Sequence, residues 1–207
     1  MTQYKLYGRE NAGSLVVQTA LEEIGAPYEF VRVSKDAKDV EAFRPISPTG
    51  RVPALALPDG TIMFESAAIL VHLSLAHPDA GLAPKPGTSR HALFLQWISF
   101  LSANLYEAAL RIHYSDRYSA RGAADAEAIR SQAAIAFLQH VELVSASLGP
   151  YLLGAEYSIA DVYLYMLARW YPEGEAQLYA RVPALGAHAE VLADRPGLKK
   201  AEADHAE

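Results

Sequence analysis

The chain has 207 residues, of which 51% are hydrophobic, and a formal net charge of -6 at pH 7. This length and apolar content suffice for one large domain or two small ones with buried cores. The charged residues are scattered, which argues against nonspecific binding to nucleic acid or to anionic lipid. The chain has no cysteine, so a disulfide, a cysteine-ligated zinc site and a protein thiol nucleophile are all excluded.

The N-terminal segment "MTQYKLYG" lacks the basic and apolar pattern of a signal peptide. No apolar stretch approaches the roughly 20 residues that a membrane helix needs. We therefore expect a cytoplasmic protein that does not act at a membrane. The seven histidines show no metal-ligand spacing, so we expect neither a metal nor an organic redox cofactor.

The first elements along the chain form a βαβ unit. Residues Tyr4 to Tyr7 and Tyr28 to Val33 read as strands. Between them, Leu15 to Ile24 carries helical apolar spacing that ends at Gly25. The two strands of such a unit are expected to lie parallel in one sheet.

A hairpin and a helix follow the loop "RPISPTG". Residues Val52 to Leu57 and Thr61 to Phe64 flank the turn sequence "PDG". Ser66 to His77 then forms a helix that Pro78 stops. The order β-α-β followed by β-β-α predicts an α/β domain with a four-stranded mixed sheet, in a thioredoxin-like arrangement.

A segment rich in Gly and Pro separates this part from a helical one. Residues 79–88, "DAGLAPKPGT", read as a linker between domains at 1–78 and 89–207. Beyond it we predict helices over Ser89 to about Tyr118, Ala124 to Leu148 and Ile159 to Trp170. The last of these is apolar nearly all round, so it is expected to be buried.

The start of that apolar helix carries a capping box. Ser158 stands at the N-cap position, and Asp161 three residues later can reach back to the backbone of Ser158. The second domain is therefore predicted to be entirely helical, around one buried central helix.

Four motifs fall in an order and spacing that is specific when taken together: "LEEIGAPYE", "SPTGRVPAL", "FESAAILVHL" and "SIAD". With them the sequence resembles the cytosolic glutathione transferases over essentially its whole length. The segments "LYGRENAGSLVVQTALEEIGAPYEFVRV" and "LQWISFLSANLY" are most similar to the bacterial beta class. The resemblance implies a homodimeric detoxification enzyme that uses glutathione as co-substrate and attacks a hydrophobic electrophilic acceptor with the glutathione thiolate.

The sequence departs from the beta-class pattern at three positions. Gly13 stands before Ser14 where beta-class members usually carry a cysteine. In the helix after Trp97, Ser99 and Tyr106 replace the usual asparagine and histidine. The cysteine chemistry of that class is therefore not expected here, and the acceptor side of the site is altered.

The resemblance assigns the glutathione-binding residues. A cis bond between Val52 and Pro53 would turn the backbone of Val52 outward, so that its N–H and C=O pair with the cysteinyl part of glutathione as an added strand does. Ser66, at a helix start, would bind the γ-glutamyl carboxylate, and Glu65 would hold the ligand's ammonium group or the local loop. Lys35 would pair with the glycyl carboxylate.

Taken without the resemblance, the same residues have structural explanations. The proline can mark a tight turn, the serine can be an ordinary N-cap, and the lysine can simply be solvated. A carrier that binds glutathione without turnover is the alternative function, because it needs no activator of the sulfur.

Three hydroxyl groups are candidates for that activator. The resemblance places Ser14 near the start of the first helix, where a thiolate would be stabilised by a hydroxyl donor and the helix dipole. Tyr7, at the end of the first strand, is the rival donor, and Tyr106 would reach the sulfur or the acceptor if its helix lines the cleft. Ser14 can also be a simple helix cap, and Tyr106 a packing aromatic.

Overall fold

The computed structural model describes residues 3–206. In chain order its strands are β1 (Tyr4–Gly8), β2 (Tyr28–Arg32), β3 (Ala54–Ala56) and β4 (Ile62–Phe64). Its α-helices are α1 (Ser14–Ile24), α2 (Ala37–Phe43), α3 (Ser66–Ala76), α4 (Ser89–Phe100), α5 (Glu107–His113), α6 (Ala126–Ser145), α7 (Ile159–Ala168), α8 (Glu175–Arg181), α9 (Pro183–Leu192) and α10 (Pro196–Ala206).

The chain forms two compact units. One contains the residues up to Pro86 together with those from Ala193 onwards, and the other contains Gly87–Leu192. The division at 1–78, 79–88 and 89–207 stays a prediction. Helix α10 lies in the last of these predicted segments, but it groups with the first unit because it packs along α1.

The first unit contains the predicted four-stranded mixed sheet, with strand order β2-β1-β3-β4. Strand β1 is parallel to β2 and antiparallel to β3, and β3 is antiparallel to β4. In this register Tyr7 lies between Val31 and Ala54. The sheet therefore confirms the predicted α/β arrangement and sets Tyr7 beside the strand that follows Val52.

Helix α1 is the buried helix of this unit. Its first eight residues, from Ser14 to Leu21, are all buried. The helix ends at Gly25, whose φ of 69° is left-handed and suits a residue without Cβ. A helix buried over this length needs covering elements, and α3 and α10 both pack against it.

The second unit is helical throughout its regular structure, as predicted. The long helix expected from Ser89 is interrupted, because a π-helical segment, Leu101–Tyr106, joins α4 to α5 and α5 ends at His113. A π-helical turn holds an additional residue and so changes the direction of the side chains that follow it. No helix among residues 3–206 is both long and apolar enough to cross a membrane.

Helix α7 is the buried centre of the second unit. Every residue of α7 except Tyr165 is buried. The predicted capping box is present, since Asp161 accepts hydrogen bonds from the N–H of Ser158 at 2.8 Å and from its hydroxyl at 3.2 Å. The carboxylate also accepts from the N–H of Leu152 at 2.6 Å and lies 2.9 Å from Nε2 of His188, in α9. One buried carboxylate thus ties α7 to α9 and to the preceding loop.

We expect Asp161→Asn to lower the free energy of unfolding of the second unit by about 3 kcal/mol, because buried donors would then face an amide in place of a carboxylate. Both tryptophans, Trp97 and Trp170, lie in this unit, so urea unfolding followed by tryptophan fluorescence measures the loss. The control is Glu127→Gln, whose carboxylate is 79% exposed beside Arg130 and should change stability by less than about 1 kcal/mol. Equal effects of the two substitutions would contradict the buried role of Asp161.

Candidate functional site

The loop before Val52 is held by buried polar contacts. Ser47 is fully buried, and its hydroxyl donates to the carbonyl oxygen of Arg51 at 2.8 Å. Gly50 has φ 66°, and a Cβ at this position would lie 2.8 Å from Cγ1 of Val40. The loop therefore depends on a glycine for both its backbone conformation and its approach to α2.

The backbone of Val52 is the strongest indication of a binding site in the first unit. Val52 is buried, and the Val52–Pro53 peptide bond is cis, as the resemblance implies. Within residues 3–206, neither the N–H nor the C=O of Val52 pairs with another backbone group. Buried backbone groups are nearly always paired, so this residue offers a donor and an acceptor to an extended, peptide-like molecule.

The start of α3 lies directly after the hairpin partner of β3. Glu65 is exposed and has φ 71° and ψ 105°, a left-handed conformation that costs a residue with a Cβ about 1 to 3 kcal/mol. Ser66 is buried, and the side chain of Glu65 makes no capping hydrogen bond. The side chain of Glu65 thus leaves the start of α3 accessible to another acceptor, and the positive end of the helix dipole there favours a carboxylate.

Tyr7 belongs to the same cluster as Val52. Its ring lies 5.6 Å from that of Phe43, centroid to centroid, in a hydrophobic cluster that also contains Ala54 and Ala12. The Tyr7 hydroxyl makes no hydrogen bond to any residue in the described part of the chain. The structure thus brings Tyr7 and Val52 together, and the cluster includes Ala12, two residues before α1.

The hydroxyl of Ser14 is hydrogen-bonded to the loop that precedes α1. The residue is fully buried, and its hydroxyl donates to the C=O of Arg9 at 2.9 Å and accepts from the N–H of Arg9 at 3.1 Å. Gly8 makes this contact possible, because a Cβ there would lie 2.6 Å from Cβ of Ser14. The single hydroxyl proton is used inside the protein, so the geometry opposes the predicted role of Ser14 as donor to a thiolate.

Lys35 and Tyr106 are the remaining candidates. Lys35 is exposed in the loop between β2 and α2. Tyr106 belongs to the second unit, where its ring lies 5.0 Å from that of Trp170 and 6.4 Å from that of Tyr163, edge to face. This favours the packing interpretation of Tyr106. Among residues 3–206, no group of three or more His, Cys, Asp or Glu side chains could hold a metal ion.

Ser47 and Ser14 support the candidate site, and no periodic pattern in the sequence indicates this role. Ser47 and the Ser14 contact with Arg9 depend on loop closure, which no periodic pattern reports. The "SPTG" segment carried a usable signal, since a serine followed by a glycine in a loop often marks a side-chain to backbone hydrogen bond.

Family models match both parts of the chain. The model described as "Glutathione S-transferase, N-terminal domain" matches residues 13–81, and "Glutathione S-transferase, C-terminal domain" matches residues 104–204. The chain is 28% identical over 202 residues to the uncharacterized GST-like protein YncG of Escherichia coli K12, and 95% of each protein is covered.

Two solved structures of glutathione transferases superpose on nearly all of the chain. A glutathione transferase homologue from Sulfitobacter with bound glutathione has a TM-score of 0.90 and 27% identity, with 99% of each chain covered. The bacterial beta-class glutathione S-transferase of Sphingomonas chungbukensis has a TM-score of 0.80 and 28% identity, with 97% of this chain and 98% of that chain covered.

We expect Ser14→Ala to lower the free energy of unfolding by about 1 to 3 kcal/mol, because two backbone groups of Arg9 lose a buried partner. Thermal unfolding followed by circular dichroism measures the change. Ser34→Ala is the control, since Ser34 also accepts from a backbone N–H, that of Asp36, but in an exposed loop. A Ser14→Ala protein as stable as Ser34→Ala would show that the contact with Arg9 does not hold the loop.

Proposed function

Because the chain belongs to the glutathione S-transferase family, we propose that it binds glutathione in the first unit and transfers the glutathione thiolate to a hydrophobic electrophile. The observation that carries the proposal is the backbone of Val52, which is buried and unpaired within the described residues and precedes β3. A peptide that adds at this point satisfies one donor and one acceptor at once.

The charged groups of glutathione would be matched by groups on three elements. The γ-glutamyl carboxylate would accept from N–H groups at the start of α3 and from Ser66, where the helix dipole favours a negative charge. Glu65, exposed beside that helix start, would hold the ligand's ammonium group. Lys35, exposed after β2, would pair with the glycyl carboxylate.

The reaction begins with a thiolate. A thiol with a pKa near 8.5 is only a few per cent ionised at neutral pH, and lowering that pKa by one unit takes about 1.4 kcal/mol. The chain has no thiol of its own, so the glutathione sulfur is the nucleophile: it forms a bond to an electrophilic carbon, and the displaced group leaves with the electron pair.

The structure favours Tyr7 among the three hydroxyl candidates. The hydroxyl proton of Ser14 goes to Arg9, and the ring of Tyr106 packs against Trp170. Tyr7 lies in the cluster of Val52 and Ala12, and its hydroxyl has no partner among residues 3–206. A hydrogen bond from Tyr7 to the sulfur, together with the N-terminal end of α1, would stabilise the charged form.

A glutathione-binding carrier is the second candidate function. The departure at Gly13, where the beta class carries a cysteine, favours it. A carrier would keep the contacts of Val52, Glu65 and Ser66 but would leave the thiol pKa of bound glutathione unchanged.

We also infer from the family that the chain acts in the cytoplasm as a homodimer in detoxification. This inference follows from membership of the glutathione S-transferase family, to which the two domain matches assign the chain.

We expect Tyr7→Phe to raise the thiol pKa of bound glutathione by about 1 to 2 units, because a hydrogen bond to a charged group contributes about 1.5 to 3 kcal/mol. The thiolate absorbance of bound glutathione, followed against pH, measures the shift. Ser14→Ala and Tyr106→Phe are the controls and should leave this pKa unchanged.

A raised thiol pKa in Ser14→Ala alone would return the role to Ser14. If the thiol pKa matches that of free glutathione in the unsubstituted protein, the carrier is the function. Turnover of a generic aromatic electrophile with glutathione then separates conjugation from binding.

A further inference from the structure

Helix α10 is held along α1 by ion pairs and one close approach. The Arg195 guanidinium forms two hydrogen bonds to the carboxylate of Glu23, at 2.7 and 2.9 Å, and Lys200 lies 2.8 Å from the carboxylate of Glu22. Gly197 lets the helices meet, because a Cβ there would lie 2.6 Å from Cγ of Glu23. The N-terminal half of α10 is thus fixed by direct contacts.

The C-terminal half of α10 is tied to α1 and β2 by a buried amide. Gln18 is fully buried, and its Nε2 donates to the Asp204 carboxylate at 2.7 Å and to the Tyr28 hydroxyl at 2.9 Å. Tyr28 in turn donates to Glu22 at 2.5 Å. The hydrogen bond between Gln18 and Asp204 therefore forms only while α10 is docked on α1.

His205 lies at this end of α10 and is poorly placed to carry a charge. Its Nε2 is buried and has no hydrogen-bond partner among residues 3–206. Its ring packs edge to face on Phe30 of β2, with 5.7 Å between centroids. The guanidinium of Arg32 lies 5.8 Å from the centre of the same Phe30 ring. Protonation would place a second cation beside this arginine.

The charges around His205 come from three elements. Arg32 on β2 disfavours the protonated ring, whereas Asp204 on α10 and Glu10 in the loop after β1 favour it. Burial is the largest effect, and together with Arg32 it lowers the pKa of His205 below its ordinary value. The neutral ring is therefore the form that fits the docked helix.

We propose that α10 is a proton-sensitive latch, in which protonation of His205 weakens the docking of the helix on α1 and β2. The latch reaches the loop before α1 through Arg32, which donates to the carbonyl oxygen of Asp204 at 2.8 Å and to the carboxylate of Glu10 at 2.7 Å. Release of α10 removes the hydrogen bond between Arg32 and Asp204, which helps to orient Arg32. The latch rests on contacts inside the first unit and not on the proposed reaction.

The direction of the pH dependence follows from the lowered pKa. The released helix exposes His205, whose pKa then returns to about 6.5, so the released state binds the proton more readily. Docking is strongest above that value and weakens as the pH falls from it towards the lower pKa of the docked state. Below the lower pKa no further weakening comes from His205.

The absence of cysteine allows a direct test. Ala201 is fully buried and Ala203 is exposed, both on α10, so Ala201→Cys reports release of the helix and Ala203→Cys reports the intrinsic reactivity of a thiol at the same pH. The rate at which a thiol reagent labels Ala201→Cys is divided by the rate for Ala203→Cys. This ratio should rise as the pH falls from about 7.5 to about 5.5, by up to about tenfold for each unit by which docking lowers the His205 pKa.

The ratio should become flat with pH when His205→Phe is added to both variants, because a phenyl ring keeps the contact with Phe30 and has no nitrogen to protonate. His205→Leu serves the same purpose should His205→Phe fold poorly. His140→Phe, which removes another histidine whose pKa burial lowers, should leave the rise intact. A flat ratio in the protein with His205, or an equal rise after its replacement, would overturn the proposal.

Discussion

Among residues 3–206 the N–H and C=O of Val52 pair with no other backbone group, and this sets the requirements for the first unit. A buried residue keeps such an arrangement only where surrounding contacts fix its backbone, and Ser47, Gly50 and the cluster around Phe43 supply those contacts. The sheet register then brings Tyr7 to the same cluster through its pairing with Ala54. The site is thus built from backbone geometry first and side-chain chemistry second, which suits a peptide ligand that brings its own reactive sulfur.

Helix α1 connects the loop that precedes it to α10. Its first turn follows a loop that the Ser14 hydroxyl closes on both backbone groups of Arg9. Its later turns are covered by α10, through Glu22 and Glu23. The residues from Ala193 onwards therefore complete the unit that carries the candidate site, although they come last in the chain. Helix α10 contacts both α1 and β2, so a change at α10 can act on the candidate site through either element.

The local features of the fold could be predicted from the sequence. The βαβ unit, the hairpin around "PDG" and the capping box of Ser158 and Asp161 depend on residues close together in the chain, and all are present. Helix α2 was not predicted, because its seven residues are too few to show a clear period. The π-helical segment after Phe100 also gave no signal, since its apolar spacing continues that of α4.

The candidate site residues also differ in whether local sequence is enough to indicate them. Val52, Glu65 and Ser66 are candidates that the sequence alone indicates, because their proposed roles follow from a strand end and a helix start. The engagement of Ser14 with Arg9 and the docking of α10 on α1 could not be found, because each depends on packing between parts of the chain that no local pattern joins. Sequence alone provides no reason to prefer Tyr7 over Ser14. The preference comes from the hydrogen bond that the Ser14 hydroxyl donates to Arg9 and from the position of Tyr7 in the cluster of Val52.

Nuclear magnetic resonance of the ¹⁵N-labelled chain, titrated with glutathione, tests the central claim most directly. The claim predicts that the Val52 amide shifts downfield as it gains a hydrogen bond, and that the amides at the start of α3 shift at the same ligand concentration. Glutathione binding that leaves the Val52 amide unchanged, or that shifts only amides of the second unit, would contradict it.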